Sequence, residues 1–461
     1  MPDEQSLVAS LFTLVENTIF RGDSLLSGNF VTIMSPGQFV SLNLSEDNPN
    51  DEYIQYDVVN DCLDTSFLRK SLQSTIEGKY EEIFNFVALP LKALSPSQQK
   101  ELAADTVIIN QLQDAYFSYQ DTYNDANRLY IAAFNNPNTS PDALQSLSDA
   151  RDRALQQWNI NGQRQSYENA YADFVYLQSG DPRTYFKLLD DRRRKYGPFP
   201  SRRGTYYQTG FDPAIVDWQN AGWTHATLET KTVSSSSYSR STQWSAGFSA
   251  GWGLWSFGGN GGHSETYQHD HSQATELKAD FEYLRVRILR PWLLPDVFTY
   301  KFWTWSKTHG FTYLSDGGSL NANPPVRPIG DMPFYPAEMV VARKVKLSAN
   351  FTETDNSVIT SHMSGGASFG YGPFSISGSY SEDTKEVNTS GTFDGATISI
   401  DQPQIIAFTG PLTGRCPDPD PTLPWQSDAA FPHSMPYRYA RILRGIRSQD
   451  FETRKSRRIV K

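Results

Sequence analysis

The chain has 461 residues, a formal net charge of -10, 38% hydrophobic residues and 13% aromatics. That length suits two or three domains, and the low aliphatic content makes Phe, Tyr and Trp the main source of core area. No run approaches the roughly 18 uninterrupted apolar residues of a spanning helix, the acidic start M-P-D-E-Q-S lacks the basic and apolar regions of a secretory signal, and Cys62 and Cys416 alone cannot form a disulfide framework. A cytoplasmic protein, or one released by a non-classical route, is expected, with two buried thiols or one long-range disulfide.

Residues 1–95 read as a mixed region. Leu7 to Phe20 suits an amphipathic helix. Phe30–Met34, Phe39–Leu44 and Tyr53–Val59 read as short strands between turn signals at Ser35-Pro36-Gly37 and Asn48-Pro49-Asn50. A helix is expected from Ser66 to Val87, ending before Pro90.

Residues 96–180 carry the strongest helical signal. Ser95-Pro96-Ser97-Gln98 forms a capping box. Beyond it Ile109, Leu112, Tyr116, Tyr119, Tyr123, Ala126, Tyr130 and Ala133 recur in steps of three and four, which draws one seam along a helix. Asn135-Asn136-Pro137-Asn138 breaks it, and Ser140-Pro141 starts a second arm with Leu144, Leu147, Ala150, Ala154, Trp158, Tyr167, Ala170, Tyr171, Phe174 and Leu177. The expectation is a long antiparallel helical hairpin, about 57 Å in length at 1.5 Å per residue. Residues 181–204 read as a basic, proline-containing connector.

From 205 to 415 the chain is β-like and contains a repeat. Residues 249–257 read S-A-G-W-G-L-W-S-F and residues 368–376 read S-F-G-Y-G-P-F-S-I, 119 positions apart. Both fit S-x-G-[WY]-G-x-[WF]-S-[FI], with Trp252 equivalent to Tyr371. Residues 226–294 and 345–412 are therefore expected to form a duplicated antiparallel β-hairpin domain, a sandwich or curled sheet.

In the first copy Trp244, Ala246, Phe248, Ala250, Trp252 and Leu254 share one face, and Ser245, Gly247, Ser249, Gly251 and Gly253 the other. One apolar and one small polar face suits a membrane strand or a half-buried strand of a core. The return strand, from His263 to Ser272, has no apolar face. In the second copy Phe369, Tyr371 and Pro373 are expected on one face, and Phe374 and Ile376 on the other. The stretch Ser381 to Thr389 is charged.

The layout resembles that of β-pore-forming proteins, which keep Ser/Thr/Gly-rich hairpins in a soluble fold and deploy them later. The resemblance is one of architecture. It implies contact with a lipid membrane or a protein partner through Trp244, Phe248, Trp252, Trp255, Phe257, Tyr371, Phe374 and Ile376, and a possible homo-oligomer.

Chemistry is sparse. G-x-S-x-G occurs at Gly247–Gly251 and Gly366–Gly370, but strand alternation continues past each serine, whereas a nucleophile elbow needs a following helix. His269 and His271 share a face near His263 and Glu265, which offers a metal or pH-sensing cluster. No phosphate loop or dinucleotide fingerprint appears, so no cofactor is expected. Residues 416–461 form a Pro-rich, basic tail. From Tyr437 on it holds Arg438, Arg441, Arg444, Arg447, Arg454, Lys455, Arg457, Arg458 and Lys461 against Asp450 and Glu452. On an acidic body such a tail suits docking on that body, an acidic partner or anionic lipid, and the acidic body argues against nucleic acid as the main target.

The expectation is thus an α+β, non-enzymatic membrane-associating or pore-forming-type protein. The alternative is a structural or assembly protein with a helical arm and basic tail. An enzyme with an unrecognised pocket is the less favoured third reading.

Overall fold

The computed structural model describes residues 4–20, 29–45, 48–66, 69–90, 96–134, 139–179, 182–230, 254–258, 268–270, 276–319, 326–365, 368–382 and 385–430. It is a mixed α+β structure with antiparallel, open sheets.

The helices are α1 (Glu4–Ile19), α2 (Pro49–Val58), α3 (Ile76–Phe86), α4 (Pro96–Phe134), α5 (Pro141–Ile160), α6 (Arg164–Ser179), α7 (Pro182–Lys195) and α8 (Glu353–Gly365). The first strands are β1 (Asn29–Phe39), β2 (Asp61–Leu63), β3 (Ser71–Thr75), β4 (Val87–Ala88), β5 (Phe199–Pro200), β6 (Thr205–Tyr206), β7 (Gly210–Asp212) and β8 (Thr224–Glu229). There follow β9 (Trp255–Phe257), β10 (Gln268–Asp270), β11 (Leu277–Leu289), β12 (Thr304–Trp305) and β13 (Glu338–Ala349). The last are β14 (Phe369–Tyr371), β15 (Phe374–Glu382), β16 (Lys385–Ser390), β17 (Thr392–Phe393), β18 (Thr397–Ile400) and β19 (Gln404–Pro411).

The main sheet runs β1-β19-β13-β11-β7, with β8 also on β11 and β18 on β13. The N-terminal strand β1 therefore closes on β19, far along the chain, with Val31 opposite Thr409. Strand β11 alternates between two cores: Leu277, Ala279, Phe281 and Tyr283 enter one, and Leu284, Val286 and Ile288 the other. Its partner β13 carries a bulge, because Asp280 faces Lys346 while Glu282 faces Arg343. Lys344 takes a φ of 50° there. Glu282 spans the bulge, accepting from Arg343 Nε at 2.7 Å and Lys344 Nζ at 3.0 Å.

Several local expectations change. Residues 53–59 lie in and after α2, not in a strand. Asn48 caps that helix, Pro49 opens it, and Asp51 and Glu52 sit in its first turn, where acidic groups favour a helix N-terminus. What reads as a turn is a helix start. Only Ile76–Phe86 of the expected 66–87 helix is helical, capped by Thr75, whose side chain accepts from Gly78 N. The segment before it is β3. The 182–195 part of the connector is helix α7.

Helix α4 packs on α5 and α6. Tyr116 stacks on Tyr167 at 4.1 Å, Tyr123 on Trp158 at 5.6 Å, and Tyr130 carries Arg151 at 4.3 Å. Partner numbers fall as α4 numbers rise, so the arms run antiparallel. The second arm is interrupted at Asn161–Gln163, where Gln163 has a φ of 45°. Leu112, Tyr119 and Tyr123 flank the buried seam of Ile109, Tyr116, Trp158, Tyr167 and Ala170.

Candidate functional site: a two-faced hairpin sheet

A second sheet, β10-β9-β14-β15-β16, contains the described parts of both copies of the repeated frame. Strand β14 pairs with β9 on one side and β15 on the other. Tyr371 lies opposite both Trp255 and Phe374, and Phe369 opposite Phe257. Strands β9 and β15 hold the same place in the frame, so they flank one central strand.

The structure corrects the faces expected of the second copy. Gly372 has a φ of 56°, and Gly372-Pro373 turns the chain between Tyr371 and Phe374. Glycine supplies that backbone without strain. Residues directly opposite in an antiparallel pair share a face, so Phe374 lies beside Tyr371 instead of facing away from it.

The sheet thus has an aromatic face and a small face, each with its own cover. On the aromatic face, the Trp255 ring meets Tyr371 at 4.6 Å and Phe351 at 6.2 Å, and Phe374 meets Phe281 of β11 at 5.4 Å. Helix α8 closes this face. Its His362 lies 4.4 Å from Phe257 and 5.5 Å from Phe369 between ring centroids. The indole N–H of Trp255 donates to the buried Asp355 Oδ1 at 3.0 Å. Asp355 also caps α8: its Oδ2 accepts from Thr352 N at 3.0 Å, and its own N donates to Thr352 Oγ1 at 3.3 Å. This capping box holds the carboxylate toward the indole.

The small face, with Ser256, Gly370 and Ser375, lies against β1. A Cβ on Gly370 would stand 2.4 Å from Pro36 Cβ, and one on Gly37 would stand 2.7 Å from Pro373 O. Ser375 Oγ donates to Gly37 O. The Gln404 amide clamps the Ser375 backbone, accepting from its N at 2.6 Å and donating to its O at 3.2 Å.

At the far end of β15, Glu382 accepts from Ser41 Oγ at 2.7 Å and Asn43 Nδ2 at 3.2 Å. The Ser41 bond is the main reason its carboxyl sits below its ordinary value. A depressed carboxyl contributes stability above its unfolded pKa and loses it as pH falls through the folded value. Glu382→Gln is therefore expected to cost about 1 kcal/mol at neutral pH and to flatten the acid limb of stability. Chemical unfolding of both proteins across the acid range measures this.

Of the expected contact residues, Trp255, Tyr371, Phe374 and Ile376 are 0–1% exposed and Phe257 is half-buried. They are core side chains, because both faces of their sheet are covered, and as folded they offer no contact surface. Trp244, Phe248 and Trp252 lie outside the described residues, as do His263, His271 and the whole basic set from Arg438 to Arg458. His269 falls on β10, where its backbone pairs with Ser256. Among the described residues no three His, Cys, Asp or Glu side chains are placed to hold a metal, and no helix is long and apolar enough to cross a membrane. Cys62 and Cys416 are both buried and unpaired with each other. Burial pushes the Cys62 thiol up to about 12.

A second polar cluster escapes the sequence reading. Glu77 and Glu81 stand one turn apart on α3. Tyr56 donates to Glu77 Oε2 at 3.3 Å, while Arg193 reaches Glu81 at 3.3 Å and the Tyr207 hydroxyl at 2.7 Å. Burial first, then the Glu81 charge and a hydrogen bond to it, raise the Glu77 carboxyl. A raised carboxyl favours the fold below its unfolded pKa and loses that contribution as pH rises through the folded value. Glu77→Gln is expected to raise the thermal midpoint at neutral pH, with the gain vanishing in acid. A lower midpoint at neutral pH would show that the ionised pair is stabilising instead. The spacing of two glutamates at i and i+4 was the available signal.

Near this cluster Glu82 accepts from Lys79 at 2.8 Å and meets His309 Nε2 at 2.5 Å. The imidazole stacks on Trp305 at 4.3 Å. These contacts tie α3 to the segment after β12.

No protein family, curated protein or solved structure matches the chain.

Proposed function

We propose that the chain is a non-enzymatic, membrane-associating protein of the pore-forming type, and that the two copies of the repeated frame are one duplicated hairpin unit held in a storage position. The supporting observation is the two-faced sheet. One face is aromatic and lies under α8 and Phe281 of β11, and the other is serine and glycine and lies against β1. A strand in a membrane pore needs an apolar face for lipid and a small or polar face for the lumen. The β9, β14 and start of β15 strands meet that requirement once the sheet leaves α8, β1 and Phe281 of β11.

The charged end of β15 and β16, with Glu382, Lys385 and Glu386, is placed at a water-exposed rim in this reading. Beside the apolar packing, discrete polar contacts hold the sheet in place: Trp255 to Asp355 of α8, Ser375 to Gly37 of β1 and Gln404 of β19, and Glu382 to Ser41. Release of dye from lipid vesicles by the purified protein, at neutral pH, in acid or after limited proteolysis, is the test. Leakage in any of these conditions supports the reading, and its absence in all of them contradicts it.

A second reading is an assembly protein that uses the helical arm. It is favoured by Val107, Phe117, Leu129, Ile160 and Tyr171, large apolar side chains exposed on α4, α5 and α6. They do not form one stripe, and singly exposed apolar groups are ordinary. Sedimentation of wild type against Phe117→Ser and Ile160→Ser separates the readings, since only an arm-mediated oligomer would dissociate.

A further inference from the structure

Helix α7 is the most basic described helix of an acidic protein. In Pro182–Lys195 stand Arg183, Lys187, Arg192, Arg193, Arg194 and Lys195 against Asp190 and Asp191. At 100° per residue its sides divide cleanly. Phe186, Leu189 and Arg193 are buried, and Arg193 is spent inside on Glu81, Asp190 and Tyr207. Arg183, Lys187, Leu188, Arg192, Arg194 and Lys195 are exposed and fall within the opposite half of the helix, five cations against the one exposed carboxylate there, Asp191.

Leu188 is 58% exposed amid these cations. At the C-terminal end Arg192 and Lys195 both lie over the half-buried Tyr196 ring, at 5.9 and 5.2 Å. Basic side chains around an exposed leucine and an amphipathic ring are what an interfacial helix presents to a charged bilayer.

We propose that the exposed face of α7 is a docking surface for a membrane carrying anionic phospholipid. The proposal rests on the membrane reading above and names its first contact. Charge complementarity carries it. The net charge of the protein is -10, which repels an anionic surface, so a concentrated cationic face sets the orientation of approach. The helix dipole explains cations in the last turn, but not Arg183 and Lys187. The exposed pairs Lys187–Asp191 and Arg194–Asp190, at 2.5 and 2.7 Å, are screened surface contacts of little energy. Their cations are available to phosphate groups.

The surface is also joined to the hairpin sheet. From α7 the chain runs through Tyr196 into the β5–β6 hairpin, whose turn carries Arg203. That side chain lies 3.3 Å from Ser381 Oγ and 3.8 Å from Glu386 Oε1, at the β15–β16 end of the sheet. Docking on α7 therefore brings the charged end of the hairpin near the lipid.

The test is co-sedimentation with phosphatidylcholine vesicles, with and without phosphatidylserine. Wild type is expected to bind only the phosphatidylserine vesicles, and less as salt rises. Lys187→Gln, Arg194→Gln and Lys195→Gln together are expected to weaken binding on the order of a hundredfold, from about fivefold per cation. Leu188→Ser is expected to weaken it further. An unchanged thermal midpoint shows that the variant is folded.

Serine at Arg454, Lys455, Arg457 and Arg458 should leave binding in place. Equal binding to both vesicles, full binding by the α7 variant, or loss only in the tail variant would overturn the proposal. So would binding of single-stranded RNA through the same α7 residues without vesicle binding. Failure of the underlying reading is separable. Phosphatidylserine-dependent binding without any dye release sinks pore formation and leaves the docking face. Dye release unaffected by the α7 variant or by phosphatidylserine sinks the docking face alone.

Discussion

Trp255→Ala is expected to lower the free energy of unfolding by about 3–5 kcal/mol, the range for removing a buried indole. The ring is 1% exposed and touches Phe257, Phe351, Phe369 and Tyr371. Its loss also removes the indole N–H that donates to the buried Asp355 Oδ1, and losing a bond to a buried acceptor adds to the cost. Trp255→Phe separates the two effects. It keeps most of the apolar area and removes only the N–H, so about 1.5–3 kcal/mol is expected, the worth of a hydrogen bond to a charged group. Urea unfolding of both variants measures the difference. A loss below about 1 kcal/mol for the alanine variant would mean that the aromatic face is not core.

Gly370→Val is expected to cost about 3 kcal/mol, from overpacking rather than from backbone conformation. The added Cβ would fall 2.4 Å from Pro36 Cβ and 2.5 Å from Phe374 O. Neither atom belongs to a flexible side chain, so the two sheets must separate. Thermal unfolding of the variant, with a near-wild-type midpoint as the contrary result, decides whether the small face is in close contact with β1. In the membrane reading the same variant leaks dye more readily than wild type, since it weakens a cover without touching the aromatic face.

The repeated frame was legible because small and aromatic residues recur at fixed spacing, but the faces read from it failed in the second copy, where Gly372-Pro373 turns the chain. A two-residue turn at Gly372-Pro373 is hard to tell from a continuing strand, since glycine and proline also break alternation without reversing the chain. The pairing of β1 with β19 joins segments nearly the whole chain apart, and no local pattern records it. Asn48-Pro49 fits both a turn and a helix start, and Asp51 and Glu52 were the deciding residues.

Helix α8 went unread. Its sequence E-T-D-N-S-V-I-T-S-H-M-S-G has few strong helix formers and little apolar periodicity. Its one local signal was the T-x-x-D cap at Thr352 and Asp355. That helix covers the hairpin sheet, so the candidate site became visible only with its cover in place. The basic run at 192–195 reads as a connector because charge clusters are common in loops. Phe186 and Leu189 make it one side of a packed helix.

The claim that the hairpin sheet leaves its covers and enters a bilayer is tested most directly by single cysteines at Ser379 and Tyr380 of β15, carrying an environment-sensitive fluorophore. The native Cys62 and Cys416 are buried and stay unlabelled in the folded protein. Neighbouring strand residues face opposite ways. Across the bulge of β15 Ser377 lies opposite Phe369, so Ser379 shares the aromatic face, while Tyr380 shares the face of Gly378 and Glu382 toward Phe39 and Ser41. The account predicts that, with vesicles, the label at 379 shifts to the blue and is quenched by nitroxide lipids, while the label at 380 stays aqueous. Both labels remaining in water, under conditions where the protein is bound to the vesicles, would contradict it.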